Sequence, residues 1–314
     1  MTLKLGVVMD PIASIHYQKD STLAMLWEAQ TRGWEIYYFE QTDLYLQDGM
    51  AYGNAKRLHV QQNENAWYSW NGAQSMLLQD LDIMLMRKDP PYNAAYIHTT
   101  QILDYAERNG VLVVNRPSAL RDCNEKLFAC DFPACTPPTL VTQSRERFFE
   151  FWQKYQDIVC KPLDTMGGES VFRVRHDDVN TNVIYEVLTK HGKEQMMVQQ
   201  YIPEITLGDK RILMIDGEAI PYLLARVPHG SDWRGNLAVG AKGKVQKLSP
   251  RDQFIADQVG PVLRERGILF AGLDVIGDYL TEINITSPTC IREIEAGSDS
   301  PVTKLLFDCI ESKL

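Results

Sequence analysis

The chain has 314 residues, 45% of them hydrophobic and 23% charged, enough to bury a large core and to build two or three packed units. Its formal charge of -9 excludes nucleic acid and anionic membrane as main partners, because a polyanion repels such a chain on average. Six cysteines without a C-x-x-C pair, and histidines without an H-x-x-x-H pair, argue against a zinc site or a disulfide framework and for reduced thiols in a cytoplasm.

Residues 4–9 read as a first strand. The apolar opening breaks at Asp10-Pro11, too early for a secretory leader, and no apolar run approaches the ~18 residues of a membrane-crossing helix. A helical pattern opened by Asp20 and Ser21 closes at Gly33, and Glu35 to Phe39 follow as a second strand, so the chain begins β-α-β. Asp48-Gly49 reads as a hairpin turn and Leu81 to Met86 as a buried strand. A helix from Ala94 ends at Gly110, before a strand over residues 111–114. Strands alternating with helices predict an open, largely parallel sheet over roughly the first 120 residues.

Beyond Pro117 the pattern becomes antiparallel α+β. Strands at Ile158 to Pro162, Val171 to Val174 and Met196 to Ile202 surround a glycine-bearing loop and one helix, and a hairpin turns at Asp216-Gly217. Ser249 is placed to cap a helix with Pro250 at its first position and Gly267 at its end. A final hairpin joins Leu269 to Ile276 with Leu280 to Thr286. There Glu282 and Asn284 share one strand face, with Ile283 and Ile285 on the other.

That hairpin is where the chemistry concentrates. A three-residue loop, Gly277 to Tyr279, sets Asp274 opposite Glu282, whereas a two-residue turn pairs it with Thr281. Two close carboxylates repel unless a cation lies between them, and magnesium takes one or two carboxylates together with substrate phosphates. The alternative is a half-exposed sheet with solvent-facing acids. The loop Lys161-Pro162-Leu163-Asp164-Thr165-Met166-Gly167-Gly168 puts an ammonium next to glycines that let backbone N–H groups approach phosphate, although a Gly-Gly pair also serves as an ordinary β-turn. The Walker and dinucleotide glycine fingerprints are both absent. Lys126, Lys161, Arg211, Arg226 and Arg292 form a spaced set of cations at element ends, each of which alone reads as surface charge. Residues 228–244 carry four glycines and three cations, which suits either a lid that keeps water from a labile intermediate or a disordered excursion.

The runs Val8-Met9-Asp10-Pro11-Ile12, Met86-Arg87-Lys88-Asp89-Pro90-Pro91, Arg121-Asp122-Cys123-Asn124-Glu125-Lys126, Gly272-Leu273-Asp274-Val275 and Thr281-Glu282-Ile283-Asn284-Ile285-Thr286-Ser287-Pro288-Thr289-Cys290-Ile291-Arg292-Glu293 closely resemble the bacterial glutathione synthetases, which are ATP-grasp ligases. The resemblance covers nearly the whole chain. It implies an N-terminal α/β domain (1–122) followed by an ATP-grasp domain (123–314) of two α+β pieces, 123–203 and 204–314. It implies condensation of γ-glutamylcysteine with glycine through an acyl phosphate, with ATP as co-substrate and magnesium, or alternatively manganese, as the metal. It further implies a tetramer acting on small molecules in the cytoplasm, without nucleic acid or membrane.

Carried over by position, Lys126, Lys161, Gly167 and Gly168 contact the phosphates. Gln199, Gln200, Tyr201 and Ile202 form the adenine hinge, and Asp209 lies near the ribose. Asp274, Glu282 and Asn284 hold the metal, and Arg211 and Arg226 steady the transferred phosphate. Arg87, Arg226, Asn284, Ser287 and Arg292 contact substrate. Thr165 stands where the family has glycine and Glu169 where it has a small residue, and residues 297–300 depart from the family pattern. Alternatives are another ATP-grasp ligase, adding glutamate to a peptide end or joining two D-alanines, or a non-catalytic ATP-binding regulator. A dinucleotide-dependent oxidoreductase lacks its glycine fingerprint.

Overall fold

The computed structural model describes residues 2–230, 233–235 and 240–314. In the first part run β1 (Lys4–Met9), α1 (Ser21–Thr31), β2 (Glu35–Phe39), β3 (Leu44–Gln47), β4 (Met50–Val60), β5 (Tyr68–Leu77), β6 (Ile83–Arg87), α2 (Ala94–Arg108), β7 (Leu112–Val114) and α3 (Pro117–Asp122). Asp20 caps α1 by accepting the Leu23 N–H at 2.6 Å, and Gly33, at φ +77°, lets the chain leave the helix. Strand order is β3-β4-β2-β1-β6-β7, with β5 on β4. Pairs β1–β2, β1–β6 and β6–β7 are parallel, but β2–β4, β3–β4 and β4–β5 are antiparallel. The largely parallel sheet expected here is therefore half of a mixed one. The β4–β5 hairpin went unseen because β5 (YSWNGAQSML) is mostly exposed and lacks an alternating apolar pattern.

The second sheet contains β8 (Thr139–Thr142), β9 (Asp157–Pro162), β10 (Phe172–Arg175) and β11 (Met196–Gln200), in the order β10-β9-β11-β8, all antiparallel. With α4 (Arg145–Tyr155) and α5 (Thr181–Leu188) it encloses a separate core that includes Phe148, Ile158, Cys160, Val174, Tyr185 and Val198. The third sheet contains β12 (Asp209–Ile215), β13 (Glu218–Val227), β14 (Lys242–Lys247), β15 (Phe270–Ile276) and β16 (Tyr279–Asn284), in the order β14-β13-β12-β15-β16.

Helix α6 (Pro250–Arg266) begins at Ser249, whose hydroxyl accepts the Asp252 N–H while the Asp252 carboxylate accepts the Ser249 N–H, and it ends at Gly267 in the left-handed region. Two short helices, α7 (Ile291–Gly297) and α8 (Val302–Glu311), close the chain. The first and third sheets share their cores: Phe39, Met84 and Tyr96 belong to the same cluster as Ile212, Leu273 and Ile283. The second sheet, with its own core, forms the other wall of a cleft over the third.

Candidate active site

The β15–β16 hairpin turns through two residues, Gly277 and Asp278, so that Ile276 pairs with Tyr279 and Val275 with Leu280. Of the two turns weighed from sequence this is the shorter, but it does not bring the Asp274–Thr281 pairing expected of it. A bulge then absorbs Thr281, whose hydroxyl donates to the Asp274 carbonyl at 3.1 Å, and the ladder resumes with Asp274 opposite Glu282 and Gly272 opposite Asn284. The neighbouring strand sets Arg211 opposite Asp274, and the next pairs Asp209 with Arg226. One face of the third sheet thus presents two acids, an amide, two arginines and a third acid. Gly272 makes room for this: a Cβ there would lie 2.7 Å from Arg211 Cδ.

The charges are tightly interlocked. Arg211 grips Asp274 with both arms, at 2.6 and 3.1 Å, and Arg226 donates to Asp209 at 2.5 Å and lies 3.0 Å from Asp274. Burial pushes the Asp274 carboxyl up, but the two guanidiniums outweigh it and hold the group well below the usual carboxylate range. Asp209 goes the other way: burial outweighs Arg226 and pushes it up to about 7, and its Oδ1 is buried without a hydrogen bond. Lys126 lies 3.0 Å from Glu282 and donates to the Thr165 carbonyl at 2.5 Å; against burial, the two lysines at 126 and 161 keep Glu282 ionised. Lys161 donates to the Thr281 carbonyl at 3.3 Å, and burial lowers its pKa.

A cleft runs from these groups to an apolar end. Lys126, Lys161, Gly167, Gly168, Asp274 and Glu282 line one part, and Val159, Val171, Tyr201, Ile202, Ile205 and Ile276 the other, where Gln199 and Gln200 also reach it. Gln199 is buried and donates to Thr139 Oγ1 at 3.2 Å, whereas Gln200 is exposed, because adjacent strand residues face opposite ways. The Gln200 and Tyr201 N–H groups donate to Pro138 and Asp157 carbonyls, which fixes this edge, and the Arg173 guanidinium lies 3.4 Å over the Tyr201 ring. In the glycine loop the positive φ values among described residues fall on Gly167, Gly168 and Ser170, so Thr165 is spared the conformation that β-branching disfavours.

Of the lid expected over 228–244, residues 231, 232 and 236–239 lie outside the described residues, and Lys242 to Lys244 belong to β14 instead. The lysines there belong to an antiparallel ladder with β13, a register that composition alone conceals. Trp233, Arg234 and Gly235 meet the cleft: Arg234 donates to the Gly168 carbonyl at 2.7 Å, and Trp233 meets Tyr201 edge-on, with ring centroids 6.1 Å apart.

A second cavity of about 210 Å³ adjoins at Asp274 and Glu282 and is lined also by Asp89, Glu125, Arg211, Arg226, Asn284, Thr286, Ser287 and Cys290. Ser287 thus lines the second cavity. Arg87 is buried and donates to Thr22 Oγ1 (3.0 Å) and the Pro288 carbonyl (2.9 Å), and it does not line this cavity. Arg292 faces a different cleft, 4.8 Å over Trp27 and 5.5 Å over Tyr17, and donates to the Tyr17 carbonyl. Glu125 and Asp89 were not anticipated; for Glu125 the one signal was its place beside Lys126.

The donors suit a hard divalent ion. Two carboxylates share a register position, and Asn284, whose Nδ2 donates to the Gly272 carbonyl at 3.2 Å, keeps its Oδ1 uncommitted to that bond. Among the described residues no group of three or more acidic, histidine or cysteine side chains is placed to hold a metal ion.

Comparison with known proteins agrees with this geometry. A profile for the prokaryotic glutathione synthetase N-terminal domain matches residues 3–121, and one for the prokaryotic glutathione synthetase ATP-grasp domain matches residues 125–299. The chain is 54% identical over 314 residues to the glutathione synthetase of Pseudomonas aeruginosa, covering 100% of this chain and 99% of that one. It is 54% identical over 312 residues to that of Escherichia coli, covering 99% of each. Among solved structures, a Chryseobacterium gregarium RiPP-associated ATP-grasp ligase in complex with ADP and a leader and core peptide superimposes with a TM-score of 0.65 at 16% identity, over 100% of this chain and 98% of that one. That likeness shows the ATP-grasp fold. With both halves of the sequence matched and full-length relatives at this identity, the chain belongs to the prokaryotic glutathione synthetases.

Proposed function

We propose that this protein condenses γ-glutamylcysteine with glycine at the expense of ATP, releasing ADP and phosphate through an acyl phosphate. The observation that carries the reading is the junction of the two cavities at Asp274 and Glu282. The cleft lined by Lys126 and Lys161 meets there the second cavity, lined by Arg211 and Arg226.

In this reading the adenine lies against Tyr201 and Ile202, beside Gln199 and Gln200. The ribose lies near Asp209, and the triphosphate runs past Gly167 and Gly168 to Lys126 and Lys161. Asp274, Glu282 and Asn284 hold magnesium, or manganese, which when bound neutralises charge on the phosphates. The cysteinyl carboxylate of the dipeptide lies in the second cavity and attacks the γ-phosphorus, with Arg211 and Arg226 stabilising the charge on the transferring group. Glycine's amine then displaces phosphate from the acyl carbonyl. Arg226, Asn284 and Ser287 line the substrate side. Arg87 and Arg292 enter only if their guanidiniums leave the Pro288 and Tyr17 carbonyls.

Trp233 and Arg234 support a lid role for the loop after β13 by covering the cleft. The boundaries at 122/123 and 203/204, the tetramer and the cytoplasmic location belong to the same proposal. They are supported by the division into three sheets and by the resemblance, and no helix among the described residues is long and apolar enough to cross a membrane. The test is phosphate release with the thiol dipeptide and glycine supplied separately and together. Release only with both supports the reading, and release with a different acid and amine pair alone defeats it.

A further inference from the structure

An amine reaches its acceptor at neutral pH as an ammonium ion, and it must shed a proton before its lone pair can attack. The second cavity is lined by four carboxylates: Asp89, Glu125, Asp274 and Glu282. Two of them are committed to cations, Asp274 to Arg211 and Arg226 and Glu282 to Lys126. Among the described residues Asp89 and Glu125 form no ion pair, and they differ in how they are held. Asp89 follows β6, on the first sheet. Glu125 is fastened to the segment that continues from Asn284: its Oε1 accepts the Ile285 N–H at 2.7 Å, the Thr286 N–H at 2.9 Å and the Thr286 hydroxyl at 2.9 Å. Its main chain is tied down as well, because the Glu125 carbonyl accepts the Ile283 N–H at 2.9 Å.

Three donors on one oxygen fix the carboxylate plane, while Oε2 accepts no hydrogen bond among the described residues. A purely structural carboxylate needs only the first oxygen. The arrangement leaves a carboxylate oxygen held rigidly beside Asn284, and burial together with the neighbouring Glu282 charge pushes this carboxyl above its ordinary range, which strengthens its hold on a proton.

We infer that Glu125 Oε2 receives the ammonium of the incoming amino acid and takes the proton that frees its lone pair. The inference rests on the ligase reading above. The ammonium passes one proton to Oε2, and the amine nitrogen forms its bond to the acyl carbonyl carbon. The bond from that carbon to the phosphate oxygen breaks, with phosphate keeping the electron pair, and the second proton lost from nitrogen leaves with the phosphate. No oxidant or reductant is involved.

Glu125→Gln keeps an acceptor for the three donors and removes the negative charge, and hydroxylamine offers an amine that is already neutral at neutral pH. With the full-length enzyme, Mg-ATP and γ-glutamylcysteine, kcat with glycine should fall ~100-fold or more in the variant, the scale of a lost proton acceptor, while kcat with hydroxylamine changes less than about fivefold. The thermal midpoint, measured with and without ATP, should match the wild type. Equal loss with both amines, or unimpaired turnover of glycine, overturns the inference. Failure of the wild type to turn over the dipeptide at all defeats the ligase reading instead, so the two failures are distinguishable.

Discussion

Arg226 lies between two buried carboxylates, 2.5 Å from Asp209 and 3.0 Å from Asp274, whose other oxygen Arg211 holds at 2.6 Å. The two guanidiniums hold Asp274 ionised, whereas burial outweighs Arg226 at Asp209, so the two acids of one network are pushed in opposite directions.

Removing Asp274 therefore has two consequences. Asp274→Ala leaves the buried Arg211 guanidinium without its carboxylate while Arg226 keeps Asp209, and urea unfolding should show a loss of ~3–5 kcal/mol, the usual cost of orphaning a buried charge. It should also abolish ADP formation. Glu282→Gln should abolish ADP formation with a smaller stability loss, since Lys126 keeps the Thr165 carbonyl as acceptor. Retained ADP release in either variant would refute the metal assignment.

Asp209 sets a pH dependence. Its folded pKa, pushed up to about 7 by burial, exceeds the ordinary value of 3.8, so the folded protein binds the extra proton between them. The contribution to stability is fully present below the ordinary value and is lost as pH rises through about 7. Asp274 and Glu282 are shifted downward, so their contributions are lost only as the medium becomes more acidic than their folded pKa values, outside this window. Nucleotide-free wild type should lose stability between about pH 5 and about pH 8 more steeply than Asp209→Asn, which has no such proton to release. Parallel curves from urea titrations would contradict the assignment.

Gly235 packs closely on the third sheet. A Cβ there would lie 2.5 Å from Asp209 Cβ and 3.1 Å from the Arg226 carbonyl, both on the third sheet, so Gly235→Val cannot dock without moving backbone. Mg-ATP should slow tryptic cleavage after Arg234 in the wild type and leave the variant unprotected, and KM for ATP should rise. Protection equal to the wild type would show that this segment does not close on nucleotide.

Lys161 is buried, and its ammonium meets a carbonyl rather than a carboxylate, so a polyphosphate is a better partner than any it has. Lys161→Met should weaken ATP binding ~10- to 100-fold, the scale of one charged hydrogen bond, by isothermal titration. Binding unchanged within twofold would remove Lys161 from the phosphate site.

Much of the site was legible because short-range rules govern it. Period-two alternation assigns Glu282 and Asn284 to one face, and turn chemistry places the hairpins at Asp48-Gly49 and Asp216-Gly217, where all four residues adopt positive φ. The box at Ser249 and Asp252 and the glycine at 267 delimit α6 for the same reason, since a helix end is settled by a few adjacent dihedrals and donors.

Register and facing were not legible, because they depend on partners far away in sequence. The right carboxylate pair arises by a different route from the one expected: a two-residue turn and a bulge at Thr281 together produce the pairing that a longer loop was expected to give. Arg292 belongs by its motif with the substrate residues, yet Tyr17 and Trp27, some 270 positions earlier, draw its guanidinium to another cleft. Glu125 carries no signal beyond its place beside Lys126 until the chain beyond Asn284 is brought back to it. The sequence by itself thus determined the family, the hairpins and the residues able to carry charge. Tertiary structure alone decided which of those charges meet, because the energy of an ion pair depends on a separation of a few ångströms that no local pattern encodes.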